Sequence, residues 1–229
     1  VAIDPTTGYV RAYVGGPDYR HFKFDGATQG KRQVGSTAKP FIYTFAIDHL
    51  GLTPCTPVPN QPVSIDTPAG VWSPKEAGNV EYTGVHPLYW GLANSRNNYS
   101  AWIMKEAKRP EAVADFIHDM GIKGYVDPVV SLCLGSYDSN PYEMTSAYCT
   151  FANKGVRIDP IFVTRIEDNQ GNVLATFTPT TNHVLSHDIA YTMITMMQRV
   201  VTMGTGRRLI YEFGFDDVEI AAKTGTTND

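Results

Sequence analysis

The chain has 229 residues, 42% hydrophobic and 18% charged, which suits one substantial domain core and not a disordered or fibrous chain. A net charge of −4 and a pI near 5.9 argue against a nucleic-acid-binding surface, and no apolar run approaches the roughly 20 residues that span a bilayer. Three widely spaced cysteines, Cys55, Cys133 and Cys149, contain no C-x-x-C pair, so no zinc pattern arises. Cys133 and Cys149 are expected as buried small hydrophobes.

The chain opens at Val1 without a methionine and inside a strand pattern, so it reads as a piece of a longer protein. Val1–Ile3 and Tyr9–Val14 flank the turn signal Asp4-Pro5-Thr6-Thr7-Gly8 and predict a β-hairpin. Residues 18–34 are polar and irregular, with Phe22 and Phe24 as anchors. From Ser36 to Leu50, Phe41, Ile42, Phe45, Ala46 and Leu50 fall on one helical face, and Gly51 ends the helix. Pro40 fits because its missing N–H falls in the first turn.

Residues 52–86 are rich in proline and lack periodicity, which suggests an active-site wall or lid. Helices are predicted from Pro87 to Ala93, Asn98 to Lys108, Glu111 to Met120, Pro141 to Ala152, and from a Ser186 cap through Val201. Residues 161–168 and 172–177 predict a second hairpin, and Val218–Thr224 a terminal strand. Two hairpins, a strand and a majority of helices indicate an α+β fold, with helices packed on a mainly antiparallel sheet.

The chemistry turns on Gly30-Lys31-Arg32-Gln33-Val34-Gly35-Ser36-Thr37-Ala38-Lys39. It falls short of a phosphate-binding P-loop, because Ser36 stands where that loop needs a lysine and no buried strand precedes it. Read as S-x-x-K, it places Ser36 and Lys39 one helical turn apart, so hydroxyl and amine can meet. A serine hydroxyl needs a neighbouring base, and a desolvated lysine can serve. Alone the motif is weak, and an N-cap serine with a solvated lysine is then the better reading. Ser95-Arg96-Asn97 (S-x-N) in an interhelical break and Lys223-Thr224-Gly225 (K-T-G) follow in order. K-T-G is expected by chance only about 0.08 times here, so the constellation outweighs the bland reading. No H-E-x-x-H and no G-x-S-x-G occurs, and the histidines read as surface or packing residues.

S-x-x-K, S-x-N and K-T-G together resemble the penicillin-binding and serine β-lactamase superfamily. Asp4–Gly8, Val14-Gly15-Gly16, Ala27-Thr28-Gln29 and Arg32–Phe41 are similar to the start of the transpeptidase domain of class A (bifunctional) penicillin-binding proteins. Trp72–Lys75, Leu92–Asn97, Ala147–Asn153 and Ala222–Asp229 are similar to further signatures of that family. The resemblance covers nearly the whole chain. It departs at Arg96, where many relatives carry a short or aliphatic residue and where the guanidinium is expected to add a cation to the cleft rim. It also implies that residues 1–229 form one transpeptidase domain lacking the last sheet strands and the C-terminal helix, with a glycosyltransferase domain missing before Val1.

What the resemblance implies for the site is specific. Ser36 is the nucleophile, Lys39 its base, Ser95 a proton relay, and Lys223 a second cation that lowers the Lys39 pKa. Asn97, Thr224, Gly225 and Thr226 bind substrate, and the N–H groups of Ser36 and Thr226 form the oxyanion hole. The substrates are peptidoglycan stem peptides ending in D-Ala-D-Ala, β-lactams are covalent mimics, and neither cofactor nor metal nor nucleic acid is called for. The parent protein is expected to be membrane-anchored, with this domain on the outer face of the bacterial cytoplasmic membrane. Within the superfamily a D,D-carboxypeptidase and a β-lactamase are the alternatives, although no E-x-x-x-N follows S-x-N. An inactive but intact domain is the alternative outside enzymology. Trp72, Tyr82 and Trp90 line the cleft or pack in the core.

Overall fold

The computed structural model describes residues 1–225. The first hairpin forms where the turn residues place it: β1 (Ala2–Ile3) pairs antiparallel with β2 (Val10–Ala12). The Asp4 carboxylate organises the turn, accepting from Thr6 N at 3.0 Å and pairing with Arg11 at 2.8 Å. Phe22 and Phe24 do not serve as buried anchors. They are 48% and 51% exposed and pack edge-to-face on each other. This segment is instead ordered by Asp25, which takes hydrogen bonds from Tyr13, the Ala27 amide and Thr28.

β3 (Arg32–Gln33) leads into a 3₁₀ turn, Gly35–Ala38, and only then into α1 (Lys39–Leu50). The sequence periodicity predicts one buried face, but every residue from Lys39 to Ala46 is buried. A helix apolar on all sides belongs inside the core. Phe41 packs against Tyr148 and Phe151, and Phe45 against Phe116 and His49. Gly51 closes α1 in the left-handed conformation, φ +66°.

The proline-rich stretch is not structureless. β4 (Pro57–Pro59) pairs with β7 (Val85–Pro87), and β5 (Ile65–Thr67) pairs with β6 (Gly70–Trp72). Then come α2 (Leu88–Ala93), α3 (Asn97–Ala107) and α4 (Pro110–Asp119), close to their predicted bounds. A 3₁₀ turn at Val130–Leu134 precedes β8 (Asp138–Ser139), which pairs with β3. α5 (Pro141–Ala152) starts at Asn140, whose side chain accepts from Glu143 N at 2.8 Å. β9 (Val156–Ile158) pairs with β12 (Thr181–His183), and β10 (Arg165–Glu167) with β11 (Val173–Thr176) as the predicted second hairpin. α6 (His187–Thr202) is capped by Ser186, and a short α7 (Arg208–Tyr211) follows.

α1, α3, α5 and α6 pack together, with Met193, Met196, Met197 and Val200 of α6 buried in the shared core. The fold is α+β with antiparallel strand pairs, as predicted, but among the described residues these are two-stranded units and not one continuous sheet. Val218–Thr224 is not a strand. No ladder partner lies beside it among the described residues, and Ala222 N donates instead to Met197 O of α6 at 3.3 Å. Cys133 is buried, Cys149 half-buried and Cys55 exposed. Among the described residues no helix is long and apolar enough to cross a membrane.

Candidate active site

Ser36 sits in the 3₁₀ turn that opens α1, on the wall of a cleft of about 790 Å³. The turn is seated by two glycines about a hundred residues apart in sequence. Gly35 takes φ +54° and donates to Gly135 O at 3.1 Å, and Gly135 takes φ +76°. A Cβ on Gly135 would lie 2.1 Å from Gly35 O, so the approach demands glycine. Among the described residues nothing hydrogen-bonds the Ser36 hydroxyl.

Lys39 is fully buried. Its ammonium donates to Ser95 O at 2.5 Å, Asn97 Oδ1 at 2.7 Å and Ser95 Oγ at 3.4 Å. The expected hydrogen bond between Ser36 and Lys39 is therefore not made, because the Ser95–Asn97 turn supplies acceptors for all three ammonium protons. Burial pushes the Lys39 pKa down to about 7, with the Lys223 charge as the next cause.

Ser95 ends α2 in the left-handed region, φ +54°. That conformation is costly for a residue with a Cβ, by roughly 1–2 kcal/mol, and it directs the Ser95 carbonyl onto Lys39. Helix-end bonds hold it: Ser95 N donates to Leu92 O at 3.1 Å and Arg96 N to Gly91 O at 2.9 Å. Asn97 donates from Nδ2 to Lys75 O at 2.7 Å. One amide proton is thereby used, and the second remains for another acceptor.

Lys223 donates to Ser95 Oγ and to Thr224 O, both at 2.8 Å, and burial lowers its pKa to about 8. The Thr224 hydroxyl bonds that of Thr205 at 2.6 Å on the cleft wall. Gly225 lies so close to Thr37 that a Cβ there would come within 2.6 Å of Thr37 Cγ2. Thr226 lies outside the described residues. The structure thus brings Lys39, Ser95, Asn97 and Lys223 into one hydrogen-bonded cluster, with Ser36 and Thr224 on the same cleft.

Arg96 lines the cleft, but not as the exposed rim cation expected from the sequence. It is 7% exposed, its guanidinium lies over the rings of Tyr82 and Trp90, and it donates to Asn60 Oδ1 at 3.0 Å. Trp90 lines the cleft and Trp72 packs against the core. Glu76 escapes notice in the sequence. It follows Trp72–Lys75 in the proline-rich stretch, where no motif or spacing marks it. In the structure its carboxylate accepts from Asn97 N at 3.0 Å and Asn98 N at 2.6 Å, and lies 3.8 Å from Arg96 Nε. The wall expected from residues 52–86 is present: Lys75, Glu76, Ala77 and Val80 line the cleft.

The family model "Penicillin binding protein transpeptidase domain" matches residues 1–229. Penicillin-binding protein 1A of Neisseria lactamica is 37% identical, over all of this chain and 29% of its own length. Penicillin-binding protein 1B of Haemophilus influenzae is 33% identical over the same shares. The chain thus spans under a third of these relatives. Among solved structures, penicillin-binding protein 1A of H. influenzae superposes with a TM-score of 0.88 at 28% identity, covering 99% of this chain and 39% of that one. PonA1 of Mycobacterium tuberculosis, solved in complex with penicillin V, gives 0.79 at 28% identity, covering 99% and 60%.

Proposed function

This chain belongs to the penicillin-binding protein transpeptidase domain family, and from that premise we propose that it is a D,D-transpeptidase domain that cross-links peptidoglycan stem peptides through an acyl-enzyme on Ser36. The observation that carries the reading is the meeting of Lys39 and Lys223 on the hydroxyl of Ser95, beside a cleft that Ser36 lines.

In the proposed reaction the Ser36 oxygen attacks the carbonyl between the two terminal D-alanines. Its proton passes to neutral Lys39, the new C–O bond forms, and the amide C–N bond breaks. The Lys39–Ser95 contact gives that proton a path to the departing D-alanine amine. An amine of a second stem peptide then attacks the acyl carbonyl, breaks the ester, and returns a proton to Ser36. A pKa near 7 leaves much of Lys39 neutral at physiological pH, which an ordinary lysine would not be. The free proton of Asn97 Nδ2 suits a substrate carbonyl. Lys223 and the Thr224 hydroxyl suit the terminal carboxylate, and Gly225 brings that segment against the Ser36 turn. Thr226 is proposed alongside them, its N–H completing the oxyanion hole with that of Ser36. A β-lactam, as an amide mimic, acylates the same oxygen. The parent protein is proposed to be a membrane-anchored class A enzyme with a glycosyltransferase domain, working on the outer face of the cytoplasmic membrane.

Labelling with a fluorescent penicillin, in wild type and Ser36→Ala, tests the reading. Stable covalent label on wild type and none on Ser36→Ala is expected. Label retained by Ser36→Ala would overturn the nucleophile, and rapid release of hydrolysed antibiotic would make the domain a β-lactamase.

A further inference from the structure

Glu76 and Arg96 are opposite charges whose side chains are only 7% and 9% exposed. Neither is held as a simple pair, because their 3.8 Å separation is long and each has closer partners. The Glu76 carboxylate takes the first two amides of α3, those of Asn97 and Asn98. These are among the helix-end donors that lack an intrahelical acceptor, and a carboxylate there also meets the positive end of the helix dipole. Arg96 and Asn98 both donate to Asn60 Oδ1, at 3.0 and 3.2 Å, and Asn98 also donates to Gln61 O at 3.0 Å. The Ser95–Asn97 turn, which supplies all three acceptors of Lys39 among the described residues, is therefore held through its own backbone.

We propose that Glu76 is a positioning residue for Lys39: it holds the Ser95–Asn97 turn through the α3 amides, while Arg96 ties the same turn to Asn60. The reaction this serves rests on the transpeptidase reading above, but the positioning itself does not. The charged and titratable groups that face Lys39 are Lys223 from the C-terminal segment, Glu76 from the wall, Arg96 from the α2–α3 turn, and the Cys133 thiol from the 3₁₀ turn before β8. Glu76 favours the protonated amine, while Arg96 and Lys223 oppose it. Opposite signs at Glu76 and Arg96 make the inference testable in both directions.

The measurement is an NMR titration of the Lys39 side chain, with the signal assigned by its loss in Lys39→Met. In Glu76→Gln the midpoint falls, and Asn97 and Asn98 amide hydrogen exchange accelerates as one acceptor is lost. In Arg96→Gln the midpoint moves up, and in Glu76→Asp, which keeps the carboxylate, it stays closer to wild type than in Glu76→Gln. Midpoints unchanged in both Gln variants would overturn the proposal, as would shifts of the same sign in both. Penicillin labelling run beside the titration separates the two readings. Wild type that titrates as expected but takes no label leaves the positioning role in place and sinks the acyl-transfer reading.

Discussion

Lys39 and Lys223 share one hydroxyl: the Ser95 oxygen accepts from Lys223 Nζ at 2.8 Å and lies 3.4 Å from Lys39 Nζ. Two buried amines on one neutral group cannot both hold a proton cheaply, since like charges disfavour each other and burial disfavours both. Burial lowers both, Lys39 to about 7, where the Lys223 charge adds to the effect, and Lys223 to about 8.

The first consequence is a pH profile. Penicillin acylation should rise with pH through a midpoint near 7, as Lys39 loses its proton and becomes a base. Lys39→Arg, which stays charged, should lower the rate by roughly 10²–10⁴-fold across the range. Stopped-flow acylation between pH 5 and 9 checks both. A wild-type rate independent of pH would remove Lys39 as the base.

Removing the second cation should move that profile. Lys223→Met keeps the apolar stem but deletes the charge beside Lys39, so the Lys39 pKa rises and the acid limb shifts to higher pH. At neutral pH the variant should therefore acylate more slowly, with part of the loss recovered by pH 9. A loss that stays constant from pH 6 to 9 would mean that Lys223 acts on substrate binding alone.

Stability should carry the same signature. Lys39 binds fewer protons folded, with a pKa of about 7, than unfolded, near 10.5. The unfolded state therefore holds the excess proton between those values, and stability rises with pH across that window. The contribution is lost as pH falls from 10.5 towards 7 and changes no further below it. Its slope approaches ~1.4 kcal/mol per pH unit. Denaturant melts of wild type and Lys39→Met from pH 6 to 9.5 should show a difference that varies with pH in this sense. Parallel curves would contradict the depressed pKa.

Gly135→Ala is a backbone test of the seat of Ser36, the proposed nucleophile. The new Cβ meets Gly35 O at 2.1 Å in a left-handed conformation, so the Ser36 turn must move. A stability loss of roughly 1–3 kcal/mol is expected, with a larger fall in acylation than the fraction unfolded explains. Gly51→Ala, also left-handed but with open space around it, serves as the control and should lose stability alone.

The local signals in the sequence were legible where a single residue decides the geometry. Pro141 at the start of α5, Ser186 before α6 and Gly51 after α1 each fix a helix end by their own chemistry. Motif order linked distant positions, and the structure does bring Lys39, Ser95, Asn97 and Lys223 together, with Ser36 and Thr224 on the same cleft. The Val218–Thr224 strand was misread because alternation marks a segment able to pair, while a strand exists only beside a partner. Arg96 was misread because charge argues for exposure unless partners are known, and here Asn60, Glu76, Tyr82 and Trp90 supply them from other parts of the chain. Glu76 was invisible for the same reason, since its acceptor role exists only once α3 is docked against the wall.

The Ser95 hydroxyl is reached from 56 residues upstream and 128 residues downstream. Closing loops of that length is entropically uphill until long-range packing compensates. Helices such as α5 and α6 need no such closure to begin forming. In a refolding experiment the far-ultraviolet circular dichroism of the helices is thus expected to return ahead of covalent penicillin capture. The lag between the two signals would time the formation of the long-range contacts that complete the cleft.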